Sequence, residues 1–423
     1  MELCASYDAA VIGGGASGLA AAICAARNGK RVVIIERDVA CGLKVLATGN
    51  GRCNLSNIDL DPQRYRHPVF VADVMGDTPE ADLDDFFSSL GIFTTREEDR
   101  IYPHSMRAES VRDALIDRAA QLGIEILCGA NVVDAHLARG IWSLMVRHPT
   151  RQLIKDVHRG PKNELRAQRR ALASIKTVDT PIEAADVIIA CGGAPSQLAS
   201  LFHLPVIEPK GVLCPIKTTI PSAPNALAAL DGLRARVNVT LRRGEKSLWS
   251  EQGEILFRSY GVSGVVIFNL SRRIKQGDMI LIDFFPELDK NQLLALFRQR
   301  EALIGPFATD SPSWFDGLIA PALGNVVCDI CEHCHPGDPD VTHLVSITKK
   351  FKLSDPSLAS DQSAQVARGG IPTDCVHAGT LACIDSTLPH LHVCGEALDV
   401  DADCGGFNLA WAWLSGMRAA QSL

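Results

Sequence analysis

Three glycines near the start of the chain, Gly13, Gly15 and Gly18, have the spacing G-x-G-x-x-G, and Glu36 follows the last of them by 18 residues. In this pattern the first glycine makes a tight turn, the second lets the backbone approach a pyrophosphate, and the third lets a helix pack closely on a strand. A carboxylate at the position of Glu36 accepts hydrogen bonds from an adenosine ribose and disfavours a 2′-phosphate. The spacing therefore predicts a dinucleotide site. Further predicted contacts with the cofactor are Ala16, Ser17 and Arg37.

The elements around these glycines match what the site requires. Residues 9–12 are typical of a buried strand, residues 19–27 of an alanine-rich helix that ends at Gly29, and residues 31–35 of a second buried strand that leads into Glu36. A strand, a glycine-rich turn, a helix and a second strand form the unit that binds a pyrophosphate at a helix N-terminus. The alternative is a glycine-rich turn without a ligand, and the placement of the acid favours the dinucleotide.

The cofactor is predicted to be FAD, because a second fingerprint of equal quality is absent from the sequence. Residues 186–190 predict another strand, which Cys191, Gly192 and Gly193 follow, but the rest of the pattern is missing there. One dinucleotide domain that a distant C-terminal segment completes is the arrangement of many flavoproteins. Gly192 is assigned to the cofactor, and so is Val132, which ends a strand where such folds pack the adenine.

A polar, glycine-rich loop at residues 42–57 is suited to wrapping a cofactor. Its cations Lys44 and Arg52 can contact phosphates or the electron-rich pyrimidine end of a flavin. Cys53 either donates a proton to a substrate carbon after hydride transfer from flavin N5, or is a packed thiol. The loop residues assigned to the cofactor are Lys44, Gly51, Arg52, Cys53 and Asn54.

A further polar segment lies near the C-terminus. Glu396, after Gly395, places a carboxylate where ribitol or ribose hydroxyls can bind. The glycines at 405 and 406 open a predicted helix that runs to Met417 or beyond, and a helix N-terminus aimed at flavin N1–C2=O stabilises the anionic reduced flavin. The residues assigned to the cofactor are Gly395, Glu396, Gly406, Phe407, Asn408 and Leu409, whereas Trp411 and Trp413 are predicted to pack in the core.

Composition sets the outer limits on fold and location. A chain of 423 residues has room for two or three domains, and 47% hydrophobic with 22% charged residues is an ordinary globular balance. The net charge of −7 argues against a protein that coats nucleic acid with its whole surface. No apolar run reaches the roughly 18 residues of a membrane span, and the first residues lack the features of a secretory signal. The fourteen scattered cysteines then indicate reduced thiols and a cytoplasmic protein.

Two clusters are ambiguous. Residues 147–176 carry nine basic residues against two acids, which is typical either of a solvated hairpin or loop or of an arm that contacts RNA. The basic residues are Arg147, Arg151, Lys155, Arg159, Lys162, Arg166, Arg169, Arg170 and Lys176. The run Cys328-x-x-Cys331-x-x-Cys334-His335 is a candidate metal or iron–sulfur ligand set, but its spacing also fits one face of a helix, and we assign no metal.

Three strings in this order carry a resemblance to a known family: residues 42–57 (GLKVLATGNGRCNLSN), 257–264 (FRSYGVSG) and 394–412 (CGEALDVDADCGGFNLAWA). They resemble the BaiN/RdsA family of NAD(P)/FAD-dependent oxidoreductases, close to the aminoacetone-oxidase-like flavoproteins. The resemblance implies an α/β fold, in which a Rossmann-like FAD-binding domain is interrupted by an inserted β-barrel domain and a small helical domain.

The sequence pattern agrees with that architecture. Short alternating segments at 235–241, 254–257 and 279–284 predict antiparallel strands, and the segment 291–341 is typical of helices. The predicted divisions are the FAD-binding domain at 1–197, the barrel at 198–286, the helical domain at 287–341, a return through the inserted domain at 342–366 and the end of the FAD-binding domain at 367–423.

The resemblance also implies a reaction. NADH or NADPH reduces FAD without a dedicated nicotinamide domain, and the reduced flavin passes a hydride to an activated C=C or C=N bond. The family includes a ribosomal RNA dihydrouridine synthase, reductases of steroid-like enones and amine oxidases. The basic run favours ribosomal RNA as the partner over a small-molecule substrate, and a non-catalytic flavin redox sensor is a further alternative. Two departures leave the substrate open: the loop after Gly193 is short, and Arg258 and Ser259 stand where the family usually has Thr-His.

Overall fold

The computed structural model describes residues 6–150, 162–338, 340–359 and 364–423. The chain forms two compact units, one made of Met1–Lys210 with Val366–Leu423 and the other of Gly211–Gln365. The first unit is assembled from both ends of the chain, and the second is a single insertion. Residues 198–210, which the sequence prediction gave to the barrel, belong to the first unit, and the residues predicted as a helical domain share the second unit with the barrel.

The strands range from 2 to 13 residues in length. They are β1 (Ser6–Ile12), β2 (Val32–Glu36), β3 (Ser56–Asn57), β4 (Thr94–Glu97), β5 (Arg100–Pro103), β6 (Glu125–Cys128), β7 (Asn131–Ala138), β8 (Ile141–Pro149), β9 (Thr177–Ile189), β10 (Ile207–Val212), β11 (Ile216–Thr219), β12 (Arg234–Arg243), β13 (Lys246–Arg258), β14 (Gly261–Ser263), β15 (Met279–Asp283), β16 (Phe351–Leu358), β17 (Val366–Gly370) and β18 (Leu391–Val393).

The helices connect and cover these strands. They are α1 (Ala16–Arg27), α2 (Pro68–Met75), α3 (Pro79–Ser89), α4 (Ala108–Gln121), α5 (Lys162–Ser174), α6 (Ser196–Leu201), α7 (Ala226–Ala229), α8 (Val265–Ser271), α9 (Lys290–Ile304), α10 (Pro321–Cys334), α11 (Val341–Lys349) and α12 (Phe407–Gln421). Within the described parts of the chain, none of them combines the length and the apolar character that crossing a bilayer requires.

The main sheet of the first unit has the strand order β6-β2-β1-β9-β8-β7, and β18 also pairs with β9. β1 lies parallel to β9, with Ile12 beside Ile189, and both of its faces are covered, which is why its second half is wholly apolar. The carboxyl ends of β1, β9 and β18 therefore meet at one edge of the sheet. Gly13, Cys191 and Cys394 continue the chain from that edge, where open α/β sheets bind their ligands.

Helices α1 and α12 pack against each other beside this sheet. A side chain at Gly416 would overlap the carbonyl oxygen of Ser17, so the absence of one lets the two backbones approach closely. Trp411 and Trp413 of α12 are 2% and 0% exposed, and their predicted place in the core is confirmed.

The second unit contains a closed barrel with the strand order β11-β14-β13-β12-β15-β16. Its neighbouring strands are antiparallel, and Val237, Val239 and Leu241 of β12 are buried while the residues between them are less so. The helices α9 to α11 belong to the same unit, and Asp289 begins α9 with a reciprocal hydrogen-bonded cap that involves Gln292. The predicted fold class, a Rossmann-like domain interrupted by a barrel with helices, is confirmed.

Candidate functional site

The glycine-rich turn after β1 has the shape that a pyrophosphate requires. A side chain at Gly18 would overlap the carbonyl oxygen of Gly13, so helix and turn touch there. At Gly15, by contrast, a Cβ atom would have no heavy atom within 4 Å, and the backbone lies open. The turn is therefore closed on the side of the protein and accessible at its middle glycine, as the sequence pattern requires of a backbone that approaches a ligand.

Helix α1 begins at Ala16, and no side chain caps its N-terminus at Gly15. The first backbone N–H groups of a helix have no partner within the helix, and the helix dipole favours an anion there. Ser17 is buried beside Gly395, whose Cα faces the serine hydroxyl, so this N-terminus lies against the C-terminal segment. Ala16 and Ser17 thus stand where their N–H groups would hold a pyrophosphate.

Glu36 ends β2 with its carboxylate turned toward the same glycines. One oxygen accepts the N–H of Gly14 at 2.6 Å and the other accepts the N–H of Asp38 at 2.7 Å. Val132 is the second residue of β7, whereas the sequence predicted it at the end of a strand. It is buried two residues after Ala130, whose N–H donates to the Glu36 carbonyl. The predicted adenosine contacts Glu36 and Val132 therefore lie close together, whereas the neighbouring Arg37 is exposed.

The loop at residues 42–57 is held in an unusual conformation. Asn50 and Cys53 both have a φ of 59° in the left-handed region, which costs non-glycine residues about 1–3 kcal/mol each. The amide of Asn54, oriented to satisfy both of its ends, accepts the N–H of Gly406 at 3.0 Å and donates to the Ser56 carbonyl at 2.8 Å. The loop is thus joined directly to the turn that opens α12, although the two segments are far apart in sequence.

The turn before α12 is equally constrained. Gly406 has a φ of 100°, and a side chain on it would overlap the carbonyl oxygen of Ser56, so only glycine fits. Asn57 donates to the Gly405 carbonyl at 3.0 Å. No side chain caps the helix at Gly406, so its first N–H groups can face an anionic ligand. Phe407 is buried, and Leu409 is partly exposed in the first turn.

Glu396, just after the carboxyl end of β18, has three polar partners from other segments of the chain. Its carboxylate accepts the N–H of Gly193 at 3.1 Å and the N–H of Ala367 at 2.8 Å, and Lys44 lies 3.4 Å away. The ammonium of Lys44 also stands beside Gly192. The predicted residues Lys44, Gly192 and Glu396 therefore come together, with the lysine side chain 77% exposed.

The side chains of Arg52 and Asn408 also have partners within the protein. The guanidinium of Arg52 bonds to Glu97 at 2.6 Å and lies over the ring of Tyr102 at 4.7 Å, so it is directed at the small sheet β3-β5-β4. The Asn408 side chain bonds to both backbone groups of Ala402, at 2.9 Å and 3.0 Å. Each side chain fixes a loop of the site. Gly51, beside Arg52, has a φ of 84° and open space around it.

Cys53, for which the sequence left proton donation and packing as alternatives, is fully buried in the core of the first unit. Burial raises the pKa of its thiol to about 12, and a hydrogen bond with Thr48, which lowers the pKa, offsets only part of this effect. A thiol with this environment fits the second of the two alternatives, a packed side chain that helps to hold the loop.

Two residues of the site were missed from the sequence. The indole N–H of Trp411 donates to the Gly395 carbonyl at 3.0 Å, and the hydroxyl of Ser415 accepts the Gly395 N–H at 3.0 Å. Trp411 and Ser415 are four residues apart on α12 and thus share a face. Polar atoms on the buried face of a helix need hydrogen-bond partners, so the positions of Trp411 and Ser415 could have indicated these roles.

The structure describes part of the basic run at residues 147–176 and all three cysteines of the run that begins at Cys328. Residues 151–161 lie outside the described part of the chain. Around them, β8 and β9 pair as an antiparallel hairpin. The helix α5, which the sequence did not predict, lies in the connection between these two strands. Arg147 forms a two-pronged ion pair with Asp179, and Arg169 forms one with Asp38. In the second unit, Cys328, Cys331 and Cys334 lie on α10, and the first two are buried.

The observations on the first unit fit FAD. Two uncapped helix N-termini, an exposed lysine, an open glycine backbone and the carboxylate of Glu36 lie around one edge of a parallel sheet. Gly15 to Ser17 would hold the pyrophosphate, Glu36 the adenosine ribose, and the turn before α12 the pyrimidine end of the flavin. This fold and this site define a dinucleotide-binding flavoprotein.

Comparisons with known proteins identify the family to which this flavoprotein belongs. The sequence model of the HI0933-like protein Rossmann domain matches residues 7–143 and 134–422, and the chain belongs to this family of FAD-dependent oxidoreductases. It is 30% identical to a 3-dehydro-bile acid delta(4,6)-reductase of Clostridium scindens, over 97% of this chain and 98% of the relative. Ribosomal RNA dihydrouridine synthases of Haemophilus influenzae and Escherichia coli are each 23% identical to it, over 98% and 99% of this chain and 97% and 98% of theirs. The protein is therefore an FAD-dependent oxidoreductase, and the redox-sensor alternative is set aside.

Proposed function

We propose that the protein is an NAD(P)H-driven reductase of a C=C bond conjugated to a carbonyl group in a small ring compound. The observation that carries this proposal is the likeness to the bile acid reductase, which extends over nearly the whole length of both chains. The names of both kinds of relative describe the same chemistry, since a 3-dehydro-delta(4,6) steroid and a uracil ring each hold a C=C bond conjugated to a carbonyl.

The site offers what such a reaction requires of the protein. When bound, FAD would accept a hydride from the nicotinamide and deliver one to the acceptor. The N-terminus of α12 supplies positive potential near the pyrimidine end, which favours the negative charge of the reduced state. The carboxylate of Glu36 at the adenosine ribose selects a dinucleotide without a 2′-phosphate.

The charges around the basic run favour a small molecule over RNA. Arg147 and Arg169 are each neutralised by an aspartate, so they contribute little to an electrostatic field for a polyanion. Ribosomal RNA stays the second candidate because Arg166, Arg170 and Lys176 are exposed at or beside α5. An amine oxidase is the third candidate, and its flavin, once reduced by an amine, would be reoxidised by air with production of peroxide.

The test follows the flavin colour without oxygen. The purified yellow protein is mixed anaerobically with NADH or with NADPH, and then with a 3-oxo-delta(4,6) steroid, with ribosomal RNA that lacks dihydrouridine, or with a primary amine. We expect the nicotinamide to bleach the flavin and the steroid enone to restore its colour while taking up two hydrogens. Bleaching by the amine alone, with peroxide produced under air, would identify an oxidase instead.

A second experiment decides the RNA alternative. Ribosomal RNA from a strain that lacks the gene is compared with wild-type RNA for its dihydrouridine content. Under the proposal the content is unchanged, and a specific loss in the deletion strain would move the assignment to ribosomal RNA.

A further inference from the structure

Two cysteines, Cys41 and Cys128, come together at the adenosine end of the dinucleotide site. Cys128 ends β6 directly opposite Glu36, the last residue of β2. Cys41 stands in the loop that follows β2, and both its sulfur and a carboxylate oxygen of Glu36 lie within 3.2 Å of the point that a Cβ atom at Gly14 would occupy. The two thiols are therefore neighbours beside the carboxylate that is expected to bind the adenosine ribose.

Cys41 also touches the glycine-rich turn. A side chain at Gly14 would overlap the sulfur of Cys41, so this sulfur lies directly against the Gly14 backbone. The next residue, Gly42, donates its N–H to the Gly14 carbonyl at 2.7 Å, and the Gly14 N–H donates to Glu36 at 2.6 Å. The position of Gly14 thus depends on Cys41, Gly42 and Glu36 together.

The two thiols are suited to different steps of an oxidation. Cys41 is 3% exposed, and its hydrogen bond with Cys128, together with burial, raises the pKa of its thiol well above the ordinary value. Cys41 therefore stays protonated and can donate to the neighbouring sulfur. Cys128 is partly exposed, so a small oxidant can reach it.

We propose that Cys41 and Cys128 form a reversible disulfide whose formation weakens the binding of FAD. The oxidant is a peroxide, which supplies two oxidising equivalents. The Cys128 sulfur attacks one peroxide oxygen, the O–O bond breaks, and a sulfenic acid and one molecule of water or alcohol result. The Cys41 sulfur then attacks the Cys128 sulfur, the S–O bond breaks, and the oxygen leaves as water with the proton that Cys41 loses.

The disulfide acts on the cofactor through Gly14. An S–S bond is about 2.05 Å long, so the Cys41 sulfur must leave its place against Gly14 and move toward β6. That movement pulls on Gly42 and on its hydrogen bond with Gly14. Because the turn from Gly13 to Gly18 carries the backbone groups that would hold the pyrophosphate, a displaced Gly14 lowers the affinity for FAD.

The experiment treats the FAD-loaded protein with hydrogen peroxide, and then with dithiothreitol in half of the sample. Peptide mass mapping reports the Cys41–Cys128 link as a loss of two hydrogens, and the fluorescence of released FAD reports its dissociation rate. We expect the linked peptide in the oxidised sample, FAD release faster by about tenfold or more, and reversal of both by dithiothreitol. These readouts do not depend on the substrate, so the outcome is independent of the proposed function.

Matched variants make the result specific. Cys128→Ser lies at a partly exposed position, so it removes the link without leaving a cavity in the core. The release of FAD from this variant should not respond to peroxide. Cys375→Ser removes another partly exposed thiol away from the glycine-rich turn and should respond as the parent protein does. The proposal is overturned if no Cys41–Cys128 peptide forms, or if it forms while the release of FAD stays at the rate of the reduced protein.

Discussion

The carboxylate of Glu396 accepts a hydrogen bond from the backbone N–H of Gly193 at 3.1 Å, although 203 residues of sequence separate them. Its other oxygen accepts the N–H of Ala367, and Lys44 is its ionic partner. One side chain therefore joins the ends of β9, β17 and β18 to the loop after β2. The shape of the site at this edge of the sheet depends on a negative charge with two acceptor oxygens.

Replacing Glu396 by glutamine tests this dependence. The amide keeps the size but has one acceptor, so one partly buried backbone N–H faces an NH2 group, and the lost hydrogen bond costs about 0.5–1.5 kcal/mol. We expect Glu396→Gln to fold, to melt at a lower temperature and to bind FAD about tenfold more weakly. Titration of the flavin fluorescence measures the affinity. Glu183→Gln, on an exposed face of β9, is the control; equal FAD affinity in both variants would contradict the role of Glu396.

Gly15 and Gly18 are predicted to respond differently to substitution, although they belong to the same motif. A side chain at Gly18 overlaps the Gly13 carbonyl, so Gly18→Ala should destabilise the protein by about 1–3 kcal/mol. A side chain at Gly15 meets open space, and its φ of −79° suits any residue, so Gly15→Val should keep the stability of the FAD-free protein while losing the cofactor. Melting temperature without added FAD and the ratio of flavin to protein separate the two effects. A yellow Gly15→Val protein with full occupancy would show that the pyrophosphate does not approach this backbone.

The sequence was sufficient for the parts of the site that rest on local rules. Steric demands at Gly13 to Gly18, the apolar strands on either side and the helix after Gly406 can be recognised from neighbouring residues alone, and the structure has these elements. The alternation along β12 likewise predicted an antiparallel strand, because burial on one face imposes a period of two.

The side-chain partners could not be predicted in the same way. Arg52 was expected at the cofactor, but Glu97 and Tyr102, on strands that only the folded chain brings near, hold its guanidinium. Asn408 was assigned to the cofactor, and its side chain bonds to the backbone of Ala402. Each choice depends on which donors are closest in space, and a single sequence does not contain those distances. The pairing of Cys41 with Cys128 depends in the same way on the register of β2 and β6.

Cys53 provides a test of whether the thiol takes part in proton transfer. Its pKa is raised to about 12, so the thiol stays protonated at neutral pH and loses its proton only as the pH rises toward that value. Any change of rate near neutral pH must therefore come from another group. We expect Cys53→Ala to lower the melting temperature by leaving a cavity, while the rates of flavin reduction by NAD(P)H and of reoxidation by substrate change only a few-fold.

Stopped-flow measurement of the two half-reactions checks this expectation, with Cys331→Ala in the second unit as a control for the loss of another fully buried thiol. A proton donor would behave otherwise, since its removal typically lowers the rate about 10²-fold or more, and only in the half-reaction with substrate. That result would restore Cys53 as a catalytic residue.

Charge reversal on α5 separates the two candidate substrates. Arg166 and Arg170 are exposed, and reversing both changes the local charge without touching the ion pair between Arg169 and Asp38. If the substrate is a small neutral enone, the Arg166→Glu/Arg170→Glu protein should retain kcat/KM within about twofold, because exposed charges have little effect on a neutral ligand. If ribosomal RNA is the substrate, loss of two phosphate contacts should lower the affinity and reduce its dependence on salt. Steady-state kinetics with the enone and RNA binding at several salt concentrations distinguish these outcomes. Lys246→Glu/Lys290→Glu in the second unit changes the net charge equally and is the control, because both of its lysines are exposed and outside the basic run.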